Sequence, residues 1–432
     1  MKKDYQTDSA LAAMALPDSV AVTMTDLAEE LHEGLLALAV GAGLQVLDAI
    51  LEEDVVALAG PRGRHDPERV AVRHGHEEGA VTLGGRRVPV RRPRVRSADG
   101  STELALPAYE HFSSTEVLGR LAMEKMLAKL STRRYGAGLE PVGERVEQKR
   151  RATSRSAVSR RFVEATERCL GELLSTNLSD LDLVCLMVDG VHFADHLCVV
   201  AMGIDVSGRK HPLALAEGDT ENATVVKDLL VSLRDRGLDM TRPILAVIDG
   251  SKALASGVRA VLDHPVVHRC QLHKIRNVES KLPKELARTV TKKLRAIYHY
   301  DDVLRAESEL EELARQLQRS HPGAAGSLRE GLAETLTVMR LKVPPTLART
   351  LRSTNAIESM IEICRDHSSN VKRWRDGQMA LRWCAAGMAE AAKQFRKVNG
   401  FLHLPALRVA LDVYVESGVT PLGYKEEEED AA

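Results

Sequence analysis

The chain has 432 residues, is 44% hydrophobic, and carries 60 Lys and Arg against 61 Asp and Glu. This composition excludes a wholly disordered polypeptide and leaves room for two to four domains. The net charge of −1 says nothing about partners, but its distribution does. Residues 60–170 hold about nine net positive charges, a footprint compatible with nucleic acid, while residues 426–430 form an acidic run read as a solvated tail.

Six cysteines stand without any C-x-x-C pair, which points to a reducing cytoplasm. Lys2 and Lys3 are followed by Asp4 and Asp8, which spoils a secretory signal. The longest apolar stretch, residues 35–44, is too short and Gly-rich to span a bilayer, so no membrane partner is expected.

In chain order, residues 24–58 read as helices. Thr25 is the cap, Leu27, Leu31, Leu35 and Leu38 recur at helical spacing, and a break is expected at Gly41 and Gly43. Residues 61–112 change character: VTLGGRRVPVRRPRVR reads as a basic hairpin turning at Gly84 and Gly85. Its arginines, among them Arg86, Arg87, Arg91 and Arg92, are expected to touch DNA backbone, the alternative being a charged edge that resists aggregation. Residues 113–180 return to helix. A short helix, a loop and a helix capped by Ser154 resemble a helix-turn-helix, with Arg155, Arg160 and Arg161 near the start of its last helix.

Residues 181–280 alternate strand and helix in the order βββαβαβ. The apolar run 184–188 ends at Asp189 and the run 244–248 ends at Asp249, so two strands of the same shape each deliver one carboxylate. In that order the first and fourth strands can lie side by side and bring the two aspartates together. Residues 281–350 are helical and hold no acid in a strand-end setting, which reads as an all-α insertion. Residues 351–415 complete the core: Thr354 or Ser353 caps a helix that carries Glu358, and a further helix covers 378–395. An Asp-Gly after one strand is commonly only a turn; two matched strands and a helical glutamate form an oxygen-donor set suited to Mg²⁺ against phosphates.

The pieces MVDGVHF, GIDVSGRKHPLAL, VIDGSKAL, HRCQLHKIRNV and RSTNAIES, in this order over roughly residues 130–400, resemble the mutator-type insertion-sequence transposases of bacteria, a branch of the DDE transposases. The resemblance implies a ribonuclease-H-like catalytic domain, with Asp189, Asp249 and Glu358 as the catalytic and metal-binding triad holding two Mg²⁺ ions, for which Mn²⁺ can substitute. It also implies binding to the terminal inverted repeats and to target DNA, strand cleavage and strand transfer. A homodimer or higher oligomer in the bacterial cytoplasm, associated with the nucleoid, goes with that reading. Cys270 and His273 match the family's C-x-x-H signature. Two further ligands at zinc spacing are not evident, which favours support of the active site over a zinc centre.

Arg365 lies seven residues after Glu358, two helical turns on the same face, where DDE enzymes often place a DNA-contacting base. Lys372, Arg373, Trp374 and Arg375 form a basic cluster around an indole, able either to grip phosphate and stack on a base or to pin a loop to the core. The alternative to an active enzyme is a catalytically silent or domesticated DNA-binding regulator. A ribonuclease-H-like nuclease or resolvase is a third reading. No Walker, G-x-G-x-x-G or H-E-x-x-H motif supports nucleotide, dinucleotide or zincin chemistry.

Overall fold

Alternation of apolar and polar residues on either side of Gly84 and Gly85 builds the first sheet. Both glycines sit at positive φ (51° and 79°), the geometry of a two-residue hairpin turn, and Leu83 pairs with Arg86 across them. The structure, a computed structural model, describes residues 35–64, 69–139, 142, 148, 153–218 and 222–417. The Thr25 cap, Leu27, Leu31, the acidic tail and most of the loop before Ser154 lie outside the described residues.

The chain divides into two compact units, residues 1–165 and 166–432. In the first, helix α1 (Leu35–Ala59) is continuous through Gly41 and Gly43. The expected break is absent because helix propensity costs only about 1 kcal/mol per glycine, and Leu47, Leu51 and Val55 repay it by packing at helical spacing on the sheet. That sheet is β1 (Ala71–Leu83), β2 (Arg86–Ser97) and β3 (Glu103–Leu104), in the order β1-β2-β3. Helices α2 (Pro107–Ser113) and α3 (Glu116–Leu127) follow. Helix α4 (Arg155–Ser175) begins at Ser154, whose hydroxyl accepts from the Ala157 N–H at 3.3 Å.

The second unit is mixed α/β. Strands β4 (Leu183–Phe193), β5 (His196–Asp205) and β6 (Lys210–Gly218) form an antiparallel meander. Helix α5 (Ala223–Asp235), β7 (Ile244–Ile248), α6 (Lys252–Val261) and β8 (Pro265–Arg269) follow, and the sheet order is β6-β5-β4-β7-β8. The first and fourth strands of this sheet are therefore neighbours, and they run parallel. One face carries Leu186, Val188, Ala246 and Ile248 against α5 and α6. The other carries Met187, Val191, Leu245 and Val247 and packs against later helices.

Helices α7 (Gln271–Glu279), α8 (Lys284–Ile297), α9 (Val303–Gln318), α10 (Pro322–Arg329), α11 (Leu332–Thr335) and α12 (Thr337–Arg340) come next. Their apolar faces gather a cluster of their own around Leu294, Leu310, Ala324 and Leu328. Helices α13 (Pro345–Leu351), α14 (Asn355–Ser368), α15 (Gly377–Lys393) and α16 (Leu404–Glu416) close the second sheet face. Helix α16 was not anticipated from sequence. Its Arg408 is buried, donates to the Pro243 carbonyl at 2.7 Å and to Asp182 at 2.6 Å, and so ties the starts of β4 and β7 to the last helix.

Candidate active site

Parity along the strands decides where the acids point. Asp189 follows Met187 by two residues and Asp249 follows Val247 by two, and Met187 and Val247 are a registered pair in parallel strands. Both aspartates therefore continue the same sheet face, on strands about 4.8 Å apart. That face is the one covered by Ile357, Met360, Ile361 and Cys364 of α14, the helix that carries Glu358.

Asp189 does not end its strand, as the sequence suggested. β4 runs on to Phe193 because β5 keeps pairing with it, Asp189 opposite Val200 and Phe193 opposite His196. What ends is the parallel partner: β7 stops at Ile248. Asp189 thus sits where one neighbour leaves the sheet, which opens space beside a strand that remains rigid.

Local donors orient the carboxylates. The Gly190 N–H donates to Asp189 Oδ1 at 2.8 Å, and the Ser251 N–H donates to Asp249 Oδ1 at 2.7 Å. Ser251 also caps α6 by accepting from the Leu254 N–H. The Thr354 hydroxyl donates to Glu358 Oε1 at 2.5 Å. Burial pushes the Asp189 carboxyl up to about 6; Asp249 and Glu358 add to the rise, while the Gly190 N–H and His273 oppose it. Asp189 thus feels the charge of both other acids in a partly dry setting.

Cys270 and His273 open α7, immediately after β8. The Gln271 N–H bonds the Arg352 carbonyl at 3.0 Å, and the Thr354 N–H and hydroxyl both reach the Cys270 Sγ, at 3.5 and 3.4 Å. His273 Nδ1 lies 3.3 Å from the Thr354 hydroxyl and 3.9 Å from Glu358 Oε1. Its hydrogen bond to Cys270 raises the imidazole to about 9, with the charges of Cys270, Glu358 and Asp249 assisting and burial opposing. Burial works to raise the Cys270 thiol, but hydrogen bonds from His273 and Thr354 outweigh it and the net shift is downward. Donor atoms of Cys270, His273 and Glu358 all lie within 4.8 Å of one another.

The basic residues are placed less uniformly than their spacing implied. Arg86 is 1% exposed, and its guanidinium donates to the Gly84 carbonyl at 3.1 Å. Expected to touch DNA, it is instead turned inward along with Val88, because this hairpin has one buried face. Arg87 is half-buried and donates to the Ser113 carbonyl at 2.5 Å. Arg92 donates to Glu77 at 2.6 Å and lies over the Tyr109 ring, and Arg94 pairs with Glu103. Of the four ribbon arginines singled out, Arg91 alone is exposed. On α4, Val158 and Phe162 are buried while Arg155 and Arg160 are exposed, and Arg161 is half-buried with its charge disfavoured by desolvation.

In the second unit Arg365, Lys372, Arg373 and Arg375 are exposed, and Arg375 pairs with Asp376 at 2.7 Å. The Trp374 ring packs 4.9 Å from Phe193 and 6.3 Å from Trp383, centroid to centroid, so it anchors its loop to the core. With Ser353, Thr354 is one of the two residues expected to cap its helix. It occupies the N-cap position, but its side chain makes no capping bond and is engaged with Glu358, Cys270 and His273 instead. The signal was present as a hydroxyl four residues before the acid on one helix.

A mixed α/β chain that gathers two aspartates and a helical glutamate on one sheet face fits a class of DNA-processing enzymes, and comparison with known proteins names the family. Residues 21–398 match the profile described as "Transposase, Mutator family", and the chain belongs to that family. It is 27% identical over 369 residues to the transposase for insertion sequence element ISRM5 of Rhizobium meliloti, covering 84% of this chain and 89% of that one. It is also 31% identical over 237 residues to the transposase for IS6120 of Mycolicibacterium smegmatis (54% of this chain, 72% of that one). The transposase for IS256 in transposon Tn4001 of Staphylococcus aureus is 23% identical over 329 residues (74% and 80%).

Proposed function

We propose that the chain is a DDE transposase with a ribonuclease-H-like catalytic core, interrupted by an all-α insertion near residues 281–350. It binds the terminal inverted repeats of its insertion sequence and catalyses metal-dependent strand cleavage and strand transfer. The observation that carries this reading is the convergence of Asp189 and Asp249, two residues beyond a registered parallel pair, on the face covered by the Glu358 helix.

The donor set fits hard divalent cations: it offers carboxylate oxygens on rigid elements, and Asp189 is raised by burial, with Asp249 and Glu358 adding to the rise. Asp189, Asp249 and Glu358 would hold two Mg²⁺ ions, or Mn²⁺ in their place, whose chemistry is to activate the attacking oxygen and stabilise the leaving one. The chain's own groups set the stage for that. The Gly190 and Ser251 N–H groups fix one oxygen of each aspartate, and Thr354 fixes one oxygen of Glu358. Arg91, Arg155, Arg160, Arg365, Lys372 and Arg373 are exposed and suited to phosphate contact, and acting on paired ends calls for a homodimer or larger assembly.

The test is strand cleavage and joining on the DNA that flanks the coding sequence, with Mg²⁺, for the intact chain and Asp189→Ala. Activity lost in the variant while end binding persists is the expected result. Cleavage that survives the substitution would place the active site elsewhere, and binding without cleavage by either protein would favour a DNA-binding regulator.

A further inference from the structure

The C-x-x-H motif has no part in the chemistry just described, yet it meets the Glu358 helix, through His273 at 3.9 Å from Glu358 Oε1 and through hydrogen bonds to Thr354. Thr354 is fully buried and stands at the N-cap of α14. A threonine there ordinarily accepts from the N–H two or three residues on and stabilises the helix end. This one makes no such bond, so the helix forgoes a cap worth about 1 kcal/mol. Its hydroxyl instead lies 2.5 Å from Glu358 Oε1, 3.3 Å from His273 Nδ1 and 3.4 Å from Cys270 Sγ.

We infer that Thr354 is a positioning residue that couples the Cys270–His273 motif to Glu358. The inference rests on the assignment of Glu358 as a metal-holding carboxylate. A hydroxyl has one proton to give. Given to Glu358 Oε1, it leaves the lone pairs of the oxygen to accept from an N–H at His273 Nδ1. His273 thereby fixes the rotation of the Thr354 O–H, and Thr354 fixes which oxygen of Glu358 remains free for a cation. Cys270 holds the threonine from the other side by accepting from its backbone N–H at 3.5 Å. Valine has nearly the same shape without the hydroxyl, and serine keeps the hydroxyl without the methyl, so the two substitutions separate hydrogen bonding from packing.

The experiment measures Mn²⁺ binding to the full-length chain from the electron paramagnetic resonance signal of free Mn²⁺. Alongside it runs excision of a marker placed between the element's own flanking sequences. Thr354→Val should weaken Mn²⁺ binding by about 10- to 100-fold, the range seen when a metal ligand loses its orienting partner, and lower excision with it. Thr354→Ser should stay within about threefold of the unaltered chain, because the orienting bond survives. His273→Ala should also move binding, in part through its own 3.9 Å approach to Glu358, so Thr354→Ala decides the matter if the valine variant fails to fold.

Normal Mn²⁺ affinity in a folded Thr354→Val, or a serine variant as defective as the valine one, overturns the inference. So does stoichiometric zinc in the purified chain that Cys270→Ser releases, which would make Cys270, His273 and Glu358 a metal centre. Glu358→Gln separates the two levels. If it leaves Mn²⁺ binding and excision intact, the catalytic assignment itself fails. If it abolishes both while Thr354→Val changes neither, only the coupling fails.

Discussion

In the ribbon of β1 to β3, arginines meet glutamates: Arg92 and Arg94 both contact Glu77 and Glu103. Beside β4 and β7, acids meet acids: Asp189 feels Asp249 and Glu358 and is raised to about 6, chiefly by burial. Along the chain the ribbon looked densely charged, whereas the two strands looked apolar with one acid each. One spends its charge internally to hold a small sheet together, and the other keeps like charges close at a cost to stability. Charge density in sequence is therefore a poor guide to charge offered at a surface, whereas a cluster that folding leaves repulsive calls for a ligand to relieve it.

The largest test of this contrast is on the acids. Asp249→Ala, like Asp189→Ala, should lower strand cleavage by on the order of 10³-fold or more, since charge stabilisation of several kcal/mol is removed, while DNA binding is kept. Cleavage on flanking-end DNA, read beside a gel-shift titration, checks it. In the ribbon, Arg86→Ala should instead destabilise the first unit by roughly 1–3 kcal/mol, because it empties a buried site and strands the Gly84 carbonyl. Denaturant unfolding of the full chain would show it. An unchanged midpoint would mean that this guanidinium is not a structural group.

Asp189→Asn should raise the melting temperature in metal-free buffer at pH 7.5 by roughly 2–4 °C. The sign follows from the raised carboxyl. The folded chain holds that proton more tightly than the unfolded one, so charging Asp189 costs stability fully above about pH 6, progressively less as pH falls, and not at all below the ordinary carboxylate value of 3.8. The gain in the variant should shrink between pH 6 and 4, and calorimetry across that window checks it. The smallest effect is expected at Arg91: alanine should leave the melting temperature alone and flatten the salt dependence of end binding by about one phosphate contact.

Much of the local structure in both units could be read before folding. The runs at 184–188 and 244–248, the turn at Gly84 and Gly85 and the Ser154 cap are local patterns, and each of these formed within a few residues of its expected place. Less legible was anything that depended on a partner brought from afar. The continuation of β4 past Asp189 needs β5, the inward turn of Arg86 needs the register of β1, and Arg408 meets Asp182 across 226 residues of chain. Thr354 shows the limit most clearly. Its position before a helix predicts a cap, and only the arrival of Cys270 and His273 beside it redirects the hydroxyl.

By itself, then, the sequence determined the strand and helix periods, the turns, and the identity of the acids and the C-x-x-H motif, because φ/ψ preference and amphipathic spacing act over a few neighbouring residues. The tertiary structure decided which charges are neutralised and which are left crowded, since pairing energies depend on distance and burial that no local pattern contains.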